Sequence, residues 1–329
     1  MFRFEPSADE AARRTQDMHE ALGDSVFSLA QQASHVLPSL EIERVANWRQ
    51  DIRCNPSLSA ETFGAYYDLV DALERDAFSD AKSLFDEILT APRTSAPTRI
   101  RSLGRDYSER VDARFRRYMG SEKTGVSGIA APEHVDQERF SKTLNAALSL
   151  VSQHRPELAA EFQNLIRDII LVAPDCASNI EFEGGTSFKL WGALFLNAEC
   201  TPSAVQLAVT LAHEEGHAVL FGACRSEMLV DNSDEERFWS PIRQSPRPLE
   251  GIFHATFVSA RMMDLLLVLR RGQGFSVSER AQIESDLKLA TQIYREGVEM
   301  VGRHARFTST GKTVFDAMRG SIAAQFVGA

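Results

Sequence analysis

Between Ala204 and Leu220 the chain carries only three kinds of polar interruption: Gln206, Thr210 and the cluster His213-Glu214-Glu215-Gly216-His217. A helix that is apolar on nearly all sides is buried on all sides, so other elements must surround this segment. Its start is marked by Thr201-Pro202-Ser203, an N-cap residue type followed by proline at the first helical position. The charged cluster is then carried into the interior, where unpaired polar groups are costly and charges pair with each other or bind a metal.

The cluster reads HExxH. Residues four apart on a helix stack on one face, so His213 and His217 can aim two imidazoles at one point. Glu214, next to the first histidine, is placed to orient a ligand or to move a proton. The plainer alternative is a pair of hydrogen-bonded core histidines with a solvated glutamate. Two histidines make half a metal site, and the third donor must come from elsewhere. The metzincin pattern fails, because it needs Gly and His where the chain has Leu220 and Ala223. In Pro248-Leu249-Glu250-Gly251-Ile252-Phe253-His254, Glu250 and His254 are again four apart on a predicted helix. A carboxylate in a first helical turn is already explained by the helix dipole, which favours His254 over Glu250 as third ligand. Glu235 and Glu236, eighteen and nineteen residues after His217, read as part of a solvated acidic loop.

Arg261 follows His254 by seven residues, on nearly the same helical face and in an apolar context. A buried arginine seeks an anion, either an internal carboxylate or the free end of a small dicarboxylate. Arg243 and Arg247, at the entrance to this helix, are competing anion clamps. Gly311-Lys312-Thr313 resembles the end of a P-loop, but the required upstream glycine is Arg306, so it reads as a helix start.

The 329 residues carry a formal charge of −10, which argues against a general nucleic-acid partner. No run of eighteen consecutive apolar residues suggests a membrane span, and the N-terminus reads without a signal-peptide core. Cys54, Cys176, Cys200 and Cys224 have no metal-ribbon spacing, so reduced thiols and a cytoplasmic setting are expected. Periodicity predicts helices near 9–34, 39–52, 60–73, 77–90, 98–118, 133–152 and 155–170. An irregular, proline-containing stretch near 231–248 follows the HExxH helix, and helices resume near 249–271, 276–302 and 311–319. The arginine-rich 98–118 segment reads as a solvated face or as a platform for an acidic peptide. A hairpin is expected over 179–197, turning at Gly184-Gly185. The expected fold is therefore mainly α, with a small antiparallel sheet next to the HExxH helix. The expected division is a helical region 1–130, a possible peptide-binding scaffold, and a metal-binding catalytic domain 131–329, with a Gly/Ser-rich boundary at 120–132.

LAHEEGHAVL together with SPIRQSPRPLEGIFHATFVSARM resembles the HExxH-motif family found with biosynthetic clusters for ribosomally made, post-translationally modified peptides. The resemblance runs from about 179 to Arg261, with a weaker echo at Thr308-Ser309-Thr310-Gly311. It implies an iron(II)- and 2-oxoglutarate-dependent oxygenase that hydroxylates a side-chain β-carbon, such as that of Asp or His, in a precursor peptide. It further implies His213, His217 and His254 as metal ligands, with Arg243, Arg247 or Arg261 holding the cosubstrate. On the motif alone a zinc metallopeptidase in which Glu214 is the general base ranks first; the arginines and the resemblance reverse that order. A third reading is a scaffold that only binds a peptide.

Overall fold

The computed structural model describes residues 2–93, 98–120, 128–133, 137–175, 183–200, 202–240 and 245–327. The chain divides into two compact units, one of residues 1–11, 136–162 and 201–329, the other of 12–135 and 163–200. The units are therefore interleaved in sequence rather than being the consecutive regions 1–130 and 131–329. Residues 163–200, expected with the catalytic half, belong with the N-terminal helices.

In the second unit, α1 (Ala8–Ala33, from residue 12 onward), α2 (Ile42–Cys54), α3 (Ala60–Glu74) and α4 (Phe78–Thr90) fall close to the helices that periodicity predicts. The sheet differs more from expectation. It contains β1 (Arg99–Ser102), β2 (Ile129–Ala130), β3 (Asp168–Pro174), β4 (Gly184–Thr186) and β5 (Ala193–Asn197). The order is β1-β3-β5-β4, with β1, β3 and β5 parallel, β4 antiparallel to β5, and β2 antiparallel to β3. It is thus mixed rather than antiparallel. Ile169-Ile170-Leu171-Val172 forms a continuous apolar run because β3 is flanked on both sides and buried on both faces. That run lacks the alternation of a half-buried strand, which is why periodicity assigns its start to the preceding helix. The expected hairpin survives only as β4 and β5, with a 3-10 turn at Phe188–Leu190 between them; its residues 179–182 lie outside the described segments.

The arginine-rich helix 98–118 is in fact β1 followed by α5 (Glu109–Met119). Arg114 is fully buried, with Nε 2.7 Å from Asp68 and Nη1 2.7 Å from Glu87, and Arg117 also pairs with Asp68. Arg114 and Arg117 thus bind carboxylates of their own unit. Arg114 departs from the expected solvated face, whereas Arg105, Arg110 and Arg117 remain more than half exposed.

The first unit is helical. It comprises α6 (Gln137–His154), α7 (Pro156–Leu165, as far as residue 162), α8 (Ala204–Ala223), α9 (Leu249–Arg271), α10 (Val277–His304) and α11 (Ser309–Val327), with a ribbon of β6 (Phe238–Ser240) and β7 (Ser245–Arg247). Ser203 caps α8 through a reciprocal pairing with Gln206, two positions later than the proline rule suggests. α9 lies against α6, α8, α10 and α11. By length and composition α9 is apolar enough to cross a bilayer, but 78% of its most apolar window is buried inside the protein, as in a core helix. Its buried charges are matched: Asp264 accepts from Arg155 Nε at 2.8 Å and from Gln325 at 2.7 Å.

Candidate histidine site at the α8–α9 crossing

Both helices contribute imidazoles to one place. His213 and His217 sit one turn apart on α8 with ring centroids 5.0 Å apart. His254, in the second turn of α9, lies 5.6 Å from the His217 ring and nearly parallel to it. The facing Nδ1 atoms of His217 and His254 are 3.4 Å apart. Two imidazole ligands on one ion, with bonds of about 2.0–2.1 Å, stand roughly 3.0–3.4 Å apart, so this pair has the spacing of co-ligands. His213 is turned otherwise: its Nδ1 is 3.3 Å from Met262 Sδ and its Nε2 is 3.9 Å from Glu214 Oε1. Among the described residues, no three His, Cys, Asp or Glu side chains stand in a metal-holding arrangement. The donor set fits a transition metal in kind and the 217/254 pair fits in spacing; His213 would complete the set only by a side-chain rotation.

Burial, with the neighbouring His213 and His254, holds the His217 imidazole well below its usual pKa, so it is neutral, the form that binds metals. The His213 and His254 side chains remain 33% and 18% exposed, which leaves the trio accessible from solvent. Phe221 packs beside both, 6.2 Å from the His217 ring and 5.8 Å from the His254 ring. Glu214 is buried beside His213.

Glu250, the competing third ligand, points elsewhere. Its two oxygens accept from the backbone N–H groups of Leu229 and Val230, at 3.3 and 3.2 Å, and Oε1 stands 3.5 Å from His254 Nε2. It lies behind His254, on the side away from His217. Glu236 is occupied by Arg306, Asn232 and the N–H of Ser233.

Arg261 is not available for a cosubstrate. It is fully buried, Nη2 binds both Glu215 (2.8 Å to Oε2) and Glu161, and Nη1 donates to the Phe4 carbonyl at 2.7 Å. The expectation that it clamps a free carboxylate is therefore corrected: an internal pair of glutamates is its anion. The physical reason is that the second glutamate of HEEGH points into the α8–α9 interface, opposite the histidine face. Gly216 makes room for it, since a Cβ there would stand 3.3 Å from Arg261 Cγ and 3.2 Å from Val258 Cγ1. Glu161 was not foreseen, although it falls within the buried stripe Leu158, Phe162 and Leu165 of α7, where a charge requires a partner. Met262 and Phe221 were also missed; apolar residues at helical spacing carry no signal that separates a site wall from a core. Arg247 is exposed at the end of β7 and has no ion pair among the described residues, and Arg243 lies outside them.

No protein family's sequence profile matches the chain, and no curated protein matches it.

Proposed function

We propose that this chain is a non-haem iron(II), 2-oxoglutarate-dependent oxygenase that hydroxylates a side-chain β-carbon of a ribosomally made precursor peptide. The observation that carries the metal part of this reading is the 3.4 Å approach of His254 from α9 to His217 of the HExxH helix. Core histidines have no need to meet across two helices at a solvent-accessible edge. The oxygenase part is supported by the resemblance, whose third histidine is the residue that makes this approach.

His213, His217 and His254 would hold the ion. When bound, iron with 2-oxoglutarate and dioxygen supplies the oxidising equivalents that place one oxygen atom in a C–H bond and the other in succinate, with release of carbon dioxide. Phe221 and Met262 wall the imidazoles with apolar surface and limit water beside them. Glu214 orients His213 or takes up a proton from a bound group. With Arg261 engaged, Arg247 is the described cation left to receive the far carboxylate of 2-oxoglutarate.

Anaerobic addition of iron(II) and 2-oxoglutarate is expected to give a weak visible charge-transfer band, and air is then expected to release succinate. The second reading, a zinc peptidase with Glu214 as base, gains from the engagement of Arg261, because peptide hydrolysis needs no dicarboxylate clamp. Zinc-loaded protein that cleaves peptides, shows no such band and forms no succinate would replace the first reading with the second.

A further inference from the structure

Behind His254 stands a chain of contacts that reaches the start of α11. The segment 228–231 runs between Glu250 and residues 306–311, and it is tied on both sides. Toward α9, its Leu229 and Val230 N–H groups both donate to the Glu250 carboxylate. Toward α11, the Thr308 hydroxyl donates to the Met228 carbonyl at 2.7 Å and the Thr308 N–H donates to the Leu229 carbonyl at 3.2 Å. The Asp231 N–H donates to the Arg306 carbonyl at 2.7 Å, and Val230 bridges to Phe307. Glu227 receives the Thr310 N–H at 2.7 Å, in the first turn of α11. Gly311 lets the segment come this close: a Cβ there would lie 1.7 Å from the Leu229 carbonyl oxygen, which no side chain permits. The Gly311 N–H in turn donates to the Thr308 hydroxyl at 2.9 Å.

We infer that Thr308, Gly311 and the Leu229–Val230 amides act as a remote clamp that fixes Glu250 against Nε2 of His254, making all four positioning residues for the imidazole that meets His217. A carboxylate held by two backbone N–H groups cannot follow the ring if it turns, and its negative charge keeps the proton of the imidazole on the near nitrogen. Nδ1 of His254 is then the unprotonated atom, and it is the one that faces His217. Carboxylates and backbone groups behind a histidine ligand commonly set its tautomer and orientation, and losing one costs roughly 10–100-fold in metal affinity. The clamp also gives a structural meaning to Gly311-Lys312-Thr313. The glycine serves a close backbone approach and has no connection with phosphate.

The metal-affinity arm of the test rests on the metal reading above; the tautomer arm does not. Glu250→Gln, Thr308→Val and Gly311→Ala are compared with wild type, with folding checked by circular dichroism. Imidazole ¹⁵N spectra of the metal-free protein are expected to show His254 as the Nε2–H tautomer in wild type and as a mixture in all three variants. Titration with cobalt(II) alone is expected to show affinity reduced by roughly 10–100-fold in Glu250→Gln and about tenfold in Thr308→Val, with an altered visible ligand-field spectrum. An unchanged His254 tautomer in folded Glu250→Gln and Thr308→Val overturns the clamp, as does unchanged cobalt affinity in both. Wild type that takes up no cobalt overturns the metal reading and leaves the tautomer result to decide the clamp. Should Gly311→Ala fail to fold, Thr308→Val, which keeps the side-chain shape, carries the test.

Discussion

The α8–α9 crossing has two faces that treat the same motif in opposite ways. On one face His213, His217 and His254 gather at a partly exposed edge, where the Nδ1 atoms of His217 and His254 face each other and His213 turns toward Met262. On the other, Glu215 and Arg261 are sealed in the interior together with Glu161 and the Phe4 carbonyl. Only three residues of α8 separate the first histidine from the second, yet the letters divide cleanly: the histidines belong to the open face, while Glu215 and Gly216 belong to the closed one. HEEGH is therefore both a site and a docking element. Burial pushes the Glu215 carboxyl well above its usual range, opposed by Arg261 and reinforced by Glu161, so this is an interface that tolerates little disturbance. The histidine edge, by contrast, holds neutral imidazole and apolar contacts in place of a buried ion pair.

The contrast breaks most sharply at Arg261. Arg261→Met leaves two carboxylates buried without their cation, and a loss of about 3–5 kcal/mol is expected. Urea denaturation reads it directly, and a variant as stable as wild type would mean that the closed face does not hold α8 to α9. His217→Ala should do the reverse. Stability is expected to fall by about 1–2 kcal/mol, less than for Arg261→Met, because removing a neutral imidazole leaves no buried charge unpaired. Iron(II) or cobalt(II) affinity should fall by more than the roughly 100-fold upper cost of losing an outer partner. Equal metal binding by wild type and variant would make the trio an ordinary histidine contact.

His19, in the other unit, sharpens the comparison by showing what a core histidine looks like. It is buried, its Nδ1 accepts from the Leu58 N–H at 3.4 Å, and burial, with Arg167 and Arg93 nearby, lowers its pKa from 6.5 to about 3. Below pH 6.5 the unfolded chain binds a proton at this residue that the folded chain refuses until about pH 3. The stability it contributes is therefore fully present above 6.5 and falls as pH drops through that window, by about 2 kcal/mol at pH 5. Urea midpoints at pH 7.5 and 5 should show a shallower slope for His19→Gln than for wild type; equal slopes would remove this residue from the balance. The smallest effect on stability is expected at Arg247, which is exposed and has no ion pair among the described residues. Arg247→Ala should leave the urea midpoint within about 0.5 kcal/mol of wild type. The Km for 2-oxoglutarate, read from succinate release, should rise if this is the cosubstrate arginine, and an unchanged Km would send the search to Arg243.

Helices α1 to α4 and α10 were legible from apolar residues at the helical period bounded by turn residues, and α9 from an apolar run too long for a strand. The strands were less so. β3 is too uniformly apolar to show alternation, and β1 consists of Arg-Ile-Arg-Ser beside a real helix start, so local pattern assigned β1 and the first residues of β3 to helices. What makes them strands is their pairing with each other in register, Arg99 opposite Asp168 and Ser102 opposite Leu171, across nearly seventy residues of chain. No local window contains that information.

The same division holds for the site. That one apolar helix carries two histidines on a common face, and that a later helix brings another, follows from periodicity alone, since it depends only on turns of 100° and on the cost of burying polar groups. Which residues pair with which charges did not follow. Arg261 looked equally suited to a ligand and to an internal carboxylate until the packing of α7 and α8 placed Glu161 and Glu215 against it. Glu250, the less favoured ligand candidate, has its partners in the 228–231 amides, which hold it behind His254. A charge's partner is set by three-dimensional proximity among elements far apart in sequence, and only the tertiary structure decides that.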